Sequence, residues 1–238
     1  MFWWIVATYL SFFVKGVCGF ANAILFSAIL SFSHNNINIS PVELVIGWPT
    51  SVIITWRERK SLDWKLCVPL SLIVLVGSVV GTIFLKNFKA DVVKVIFGFV
   101  IIGIGIEMLL REFHPTQMKE SKAVLSVIGV CSGILCGLYG IGALIGAYVG
   151  RTAKDSHAFK ANVCFVFTVE SLFRIVMYSI YGILTWDILK QALSLAPVML
   201  LGLFSGIYCC RWLSERAVKR FVIVMLIICG ITLVINNL

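Results

Sequence analysis

Charge is what this chain has least of, and its scarcity excludes most soluble architectures. Only 13% of the 238 residues are charged, 60% are hydrophobic, and the mean hydropathy is +1.02. A soluble domain carries about a quarter charged residues. The apolar-polar alternation of a transmembrane β-barrel is missing too. No Gly-x-x-x-x-Gly-Lys-Ser/Thr phosphate loop occurs, so any transport is expected to run on gradients unless another chain supplies an ATPase. No stretch between apolar blocks is long enough for a soluble domain. No His, Cys or carboxylate grouping has catalytic or metal-ligand spacing, so an enzyme, a metal site and a cofactor are all outside expectation.

What is present is a series of apolar blocks at residues 2–33, 41–56, 66–85, 91–110, 123–150, 161–181, 188–210 and 217–235. Most reach the ~20 residues that cross ~30 Å of hydrocarbon as a helix. The expected class is therefore an all-α integral membrane protein. The opening Met1-Phe2-Trp3-Trp4 lacks a basic region and a cleavage site, so the first block is expected to be retained rather than removed as a signal peptide. The eight cysteines all fall inside apolar blocks, where packing is the expected role; redox chemistry is the minor alternative for adjacent Cys209 and Cys210. The net charge of +9 would suit nucleic acid in a soluble protein, but here it reads as loop charge and no nucleic-acid partner is expected.

Two blocks are too long for one ordinary span and are broken by glycine. The first contains Gly16-Val17-Cys18-Gly19-Phe20-Ala21-Asn22 and the second Gly137-Leu138-Tyr139-Gly140-Ile141-Gly142-Ala143. The match continues along the chain. Asp63-Trp64 corresponds to Thr185-Trp186 at an offset of 122, while Gly77/Gly81 match Gly202/Gly206, Val93-Lys94 match Val218-Lys219 and Gly105 matches Gly230 at 125. The chain thus reads as repeat 1 over 1–120 and repeat 2 over 121–238, each one broken segment and three transmembrane helices.

Lys and Arg counts orient the repeats. If each broken segment crossed once, alternate sides would hold ten and eight of the loop Lys/Arg, which predicts nothing. If each segment returns to the side it entered, loops 57–65, 111–122, 151–160 and 211–220 share one side with fourteen, against four opposite. Cytoplasmic excess of Lys and Arg favours the second arrangement. Re-entrant or paired short segments followed by three spans make the repeats inverted, with both termini extracytoplasmic. Paired interrupted segments in inverted repeats point to a binding site near the midplane.

Away from the block ends, two basic residues lie inside apolar blocks, Lys15 and Arg174. An intramembrane cation is expensive unless paired or hydrated, so each is a candidate substrate contact. Lys15 lies roughly 20 Å along a helix from Phe2 at 1.5 Å per residue; snorkelling to an interface is its alternative. Glu170 precedes Arg174 by one turn, as a structural ion pair or as a protonatable coupling group that releases the arginine. Glu43, after Pro41, is expected to cap a helix start, and Glu107 to pair with Arg111.

The glycine breaks expose backbone N–H groups at half-helix N-termini, which favour anions. Candidate substrate-binding residues are therefore Lys15, Gly16, Gly19, Phe20, Asn22, Gly137, Tyr139, Gly140, Gly142, Asn162 and Arg174, with Glu170 in coupling. Gly77/Gly81 and Gly202/Gly206 read instead as close helix packing. Thr50, Ser51, Thr168 and Ser171 add hydrogen-bonding groups, some of them turned back on their own helices. Pro49 is expected to kink its helix and free a carbonyl near Thr50. Trp64 and Trp186 suit the membrane interface.

The paired Gly-x-x-Gly openings, the Asp63-Trp64 and Thr185-Trp186 turns, the Gly-x-x-x-Gly helices and the Val-Lys loops together resemble the TauE/SafE sulfite-exporter family, also called DUF81, over essentially the whole chain. Ala21 and Asn22 stand where further glycines are common in that family. The resemblance implies a multi-pass carrier of the bacterial plasma (inner) membrane, moving small sulfur-containing anions such as sulfite, thiosulfate or organosulfonates. A passive anion or solute channel is the alternative. The partners are a small anion and the lipid bilayer; oligomeric state is left open, a homodimer included.

Overall fold

A computed structural model of the protein describes residues 2–31, 39–84 and 143–235, with helical positions at 99, 102–103, 106, 109–110, 130–131 and 133. All regular structure among the described residues is helical. The block at 91–110, the Glu107–Arg111 pair and the opening of the second broken segment, with Gly137, Tyr139, Gly140 and Gly142, lie outside them.

The elements are α1 (Phe2–Cys18), α2 (Asn22–Ser31), α3 (Ile39–Arg57), a 3-10 turn (Arg59–Ser61), α4 (Trp64–Phe84), α5 (Ala143–Thr152), α6 (Ser156–Ile180), α7 (Trp186–Trp212) and α8 (Glu215–Ile235). Side-chain caps fix several starts. Asp155 accepts from the Ala158 N–H at 2.7 Å, Thr185 from Ile188 at 3.4 Å and Asp63 from Lys65 at 3.0 Å. α3, α6 and α7 are long and apolar enough to cross a membrane. Leu72, Val76, Leu172, Val176, Leu193, Leu201 and Phe204 stand exposed on α4, α6 and α7, where lipid rather than water suits them. Trp64 and Trp186, the first residues of α4 and α7, are exposed at these helix ends as an aromatic belt requires.

The first broken segment is two helices joined at residues 19–21. Gly19 takes φ 86° and Ala21 φ 73°, both left-handed values that end α1 and redirect the chain. Trp4 in the first turn of α1 meets Phe26 of α2 with ring centroids 5.7 Å apart, so the chain doubles back.

α1 lies along α7 on a seam of glycine. A Cβ on Gly202 would stand 2.6 Å from the Tyr9 carbonyl oxygen, one on Gly206 2.1 Å from that of Phe13, and one on Gly16 2.5 Å from that of Leu203. Lipid tails are as apolar as leucine, so such helices are held by close packing rather than by hydrophobic exclusion. A second contact of this type joins the second broken segment to α4, where a Cβ on Gly133 would lie 2.2 Å from the Val74 oxygen and 2.7 Å from the Gly77 Cα.

Three of the four basic loops meet at one end of the molecule. Glu58 and His157 are in contact at 2.8 Å, and Arg57, Lys160 and Arg211 line one cavity with them. At the other end Trp4, Leu30, Val42 and Ile188 share an apolar cluster.

The glycine seam makes a sharp expectation. Gly206→Ala should lower stability by about 1–3 kcal/mol or more, because the added methyl overlaps backbone that cannot rotate away. Gly103→Ala, with nothing within 4 Å of its Cβ position, should leave the apparent Tm in detergent unchanged.

Candidate functional site

α1, α2, α3 and α6 enclose a cavity of about 30 Å³ lined by Lys15, Asn22, Glu43, Gly47, Ser51, Phe167, Glu170, Ser171 and Arg174, among others. That volume holds a water or two. Four charged side chains share it and all are withdrawn from the surface: Lys15 is 2% exposed, Glu170 2%, Arg174 3% and Glu43 5%.

Lys15 occupies the last turn of α1, just before the break. Its ammonium donates to the Gly47 carbonyl oxygen at 3.0 Å and to Ser51 Oγ at 2.9 Å, and stands 5.9 Å from the Phe12 ring centroid. An ammonium has three donors, so neutral acceptors among the described residues satisfy two of them. Gly47 sits midway along α3, which puts the ammonium deep in the protein and not at a membrane interface. Pro49 interrupts the backbone ladder between these acceptors. The Gly47 oxygen also accepts from Thr50 Oγ1 at 2.5 Å.

Glu43 corrects the capping expectation. α3 begins at Ile39, so Glu43 stands a full turn inside the helix, and its carboxylate accepts a hydrogen bond from Asn22 Nδ2 at the start of α2. Gly47 makes that reach available: a Cβ there would lie 2.8 Å from Glu43 Oε1 and 3.4 Å from Asn22 Nδ2. Asn22 and Ala23, the first residues of α2, both border the cavity. The positive end of the α2 dipole therefore faces it.

From α6, Arg174 Nε and Glu170 Oε1 are 3.6 Å apart, the guanidinium lies 5.9 Å from the Tyr178 ring centroid, and Ser171 Oγ donates to Glu170 Oε2 at 3.4 Å. Two cations and two carboxylates thus share one enclosure. When all four are ionised, their charges cancel.

The remaining expected residues divide. Lys15, Asn22, Glu170 and Arg174 come together in this cavity. Gly16 turns away, onto the α7 seam and a second cavity. The Gly19 carbonyl oxygen accepts from Cys164 Sγ at 3.2 Å. Phe20 is buried edge-on against Phe159 at 5.9 Å and belongs to the core. Asn162 stands elsewhere: its Oδ1 accepts from the Asp63 N–H at 2.9 Å and from Cys67 Sγ at 3.2 Å, clamping the chain that leads into α4. Thr168 Oγ1 turns back on Cys164 O at 2.8 Å. Sequence reasoning passed over Gly47, since a glycine within a span has no signal until the hairpin faces it.

Helices long and apolar enough to cross a bilayer, around a cavity lined by charged side chains, mark a helical membrane protein. The sequence matches the family profile described as Sulfite exporter TauE/SafE over residues 4–233, nearly the whole chain, and the chain belongs to that family. It is a multi-pass membrane transporter of the sulfite-exporter type. Comparison with curated proteins and with solved structures returns no match.

The pairing of Arg174 and Glu170 predicts a double-mutant signature. Arg174→Met should cost about 3–5 kcal/mol by stranding a buried carboxylate. Glu170→Gln/Arg174→Met should recover most of that loss. Thermal unfolding of the purified variants measures both, and equal Tm values for single and double variants would refute the pairing.

Proposed function

We propose that the protein is a secondary carrier of small anions, sulfur oxyanions or organosulfonates, with the Lys15/Arg174 cavity as its binding site and proton uptake on a cavity carboxylate as its charge compensation. The observation that carries this reading is the balanced set of two cations and two carboxylates delivered to one enclosure by a broken segment and two spans. A monovalent anion leaves that set one charge negative, and a proton on Glu170 or Glu43 restores neutrality; a dianion is balanced by a proton on each. The third donor of Lys15, which has no hydrogen-bond partner among the described residues, and the α2 N-terminus supply the polar contacts such an anion needs.

Two structural features support inverted repeats. Loops 57–65 and 151–160 hold different positions in the two repeats, yet they touch through Glu58 and His157. Each broken segment also packs on the Gly-x-x-x-Gly helix of the other half, α1 on Gly202/Gly206 and Gly133 on Gly77. The basic end is then cytoplasmic by its Lys and Arg excess, with both termini outside. A carrier is favoured over a channel because the charged side chains that line the cavity are all buried, so an anion reaches them only when the protein rearranges.

Uptake of labelled sulfite, thiosulfate and taurine into proteoliposomes, with and without a pH gradient, tests the reading. Saturable, gradient-stimulated flux is expected for at least one. Losing a charge-assisted contact worth about 1.5–3 kcal/mol should lower transport by roughly ten- to hundredfold in Lys15→Met and in Arg174→Met. Glu170→Gln should transport with a flattened pH profile. Wild-type rates in both cation variants would remove the site, and flux linear in concentration would make the protein a channel.

A further inference from the structure

A second cavity of about 280 Å³ opens at the basic end, lined by Arg57, Glu58, His157, Lys160, Cys210 and Arg211 among others. Its lining carboxylate, Glu58, is already engaged by His157 at 2.8 Å and Arg57 at 3.8 Å. Lys160 is only 6% exposed, and among the described residues its ammonium hydrogen-bonds to a single group, Cys210 Sγ at 2.7 Å. A thiol is a weak acceptor. A buried cation with so little compensation, lining a space large enough for a small ligand, invites an anion.

This vestibule is aligned with the inner cavity. On α6, His157 and Lys160 face the vestibule, Phe167, Ser171 and Arg174 face the inner cavity, and Cys164 lies between them at helical spacing. On α3, Ile54 lines the vestibule while Ser51 and Gly47 line the inner cavity. Ile54, Cys164, Leu203 and Ile207 form a separate buried cluster, and Ile54 and Ile207 are also vestibule walls. Polar, apolar and polar zones therefore follow one another along the same helix faces.

We infer that the vestibule is a second anion site, centred on Lys160, which loads the inner cavity across the Ile54/Cys164/Leu203/Ile207 plug. The ligand class is a small oxyanion or sulfonate, the class proposed for transport, so the inference rests on that reading. Its test does not depend on flux.

Inorganic sulfate is the probe and Cys210 the reporter. Full-length protein in nanodiscs is alkylated with N-ethylmaleimide, in sulfate or in chloride at equal ionic strength, and Cys210 modification is followed by mass spectrometry. Sulfate should slow Cys210 alkylation at least fivefold, saturably, in the wild type and equally in Lys15→Met, whose inner site is lost. The ratio should fall below twofold in Lys160→Met and return in Lys160→Arg. Arg57→Gln, at the rim, should roughly halve the protection and serves if Lys160→Met does not fold. Insensitivity of Cys210 to sulfate, absence of its alkylation, or protection unchanged in the vestibule variants would overturn the inference. Protection lost in Lys15→Met would assign the effect to the inner cavity instead, leaving the transport site standing without a vestibule site.

Discussion

An ammonium group held deep in an apolar protein is the constraint on which the rest depends. Lys15 cannot stay ionised there without acceptors, and those it finds lie outside its own helix. The acceptors come from α3, where a glycine carbonyl and Ser51 stand beside Pro49. For α3 to come so close, α1 must end just beyond Lys15 and the chain must turn. The left-handed residues Gly19 and Ala21 accomplish that turn. Ala21 keeps a strained φ that costs about 1–2 kcal/mol, and its methyl regains roughly 0.8 kcal/mol by burial, so a glycine in its place would change little.

The same turn sets the electrostatic balance. It brings Asn22 against Glu43, fixing a carboxylate opposite Lys15, while α6 supplies an internally matched Glu170–Arg174 pair. Buried ion pairs gain little stability over apolar packing of the same volume. Four ionised groups in one enclosure are thus better understood through what they bind than through what they stabilise. Close packing comes from elsewhere, along the contact of α1 with α7, where three glycines bring backbone against backbone.

Much of this was legible because membrane sequences are so plain. Against a 60% hydrophobic background, Lys15, Glu170 and Arg174 stand out as single letters, and the Gly16–Asn22 break interrupts an otherwise continuous span. The inference failed where role depends on which helix lies opposite. Glu43 reads as a cap beside Pro41, and only the hairpin reveals that Asn22 faces it. Asn162 reads as one more polar group in a span, although it spends its carbonyl oxygen on the Asp63 backbone and Cys67. Gly16 and Gly206 carry the same letter; the glycine break suggested a ligand at Gly16, and the structure sets α7 backbone against it. Periodicity reports the face of a helix; it is silent on the face opposite.

The relative sizes of the two cavities bear on how such a protein could discriminate. The basic vestibule has room for many small anions and its cations are distributed, so it selects by charge sign and concentrates rather than identifies. The inner cavity is far smaller and its donors are fixed in number, with Lys15 held by two acceptors and Arg174 paired with its glutamate. An anion admitted there must displace existing contacts and replace them in kind. An oxyanion presents several equivalent acceptors and can do so, whereas a halide of equal charge presents no directional oxygen for each donor. Between the two lies an apolar cluster carried by α3, α6 and α7, which an anion crosses only when those helices move apart. The α1–α7 seam adjoins that cluster: Gly16 lies against the backbone of Leu203 and Ile207, and farther along it Trp4 and Ala7 pack with Leu195 and Met199. A carrier needs such a contact, one that stays closed to water while the helices around the plug rearrange.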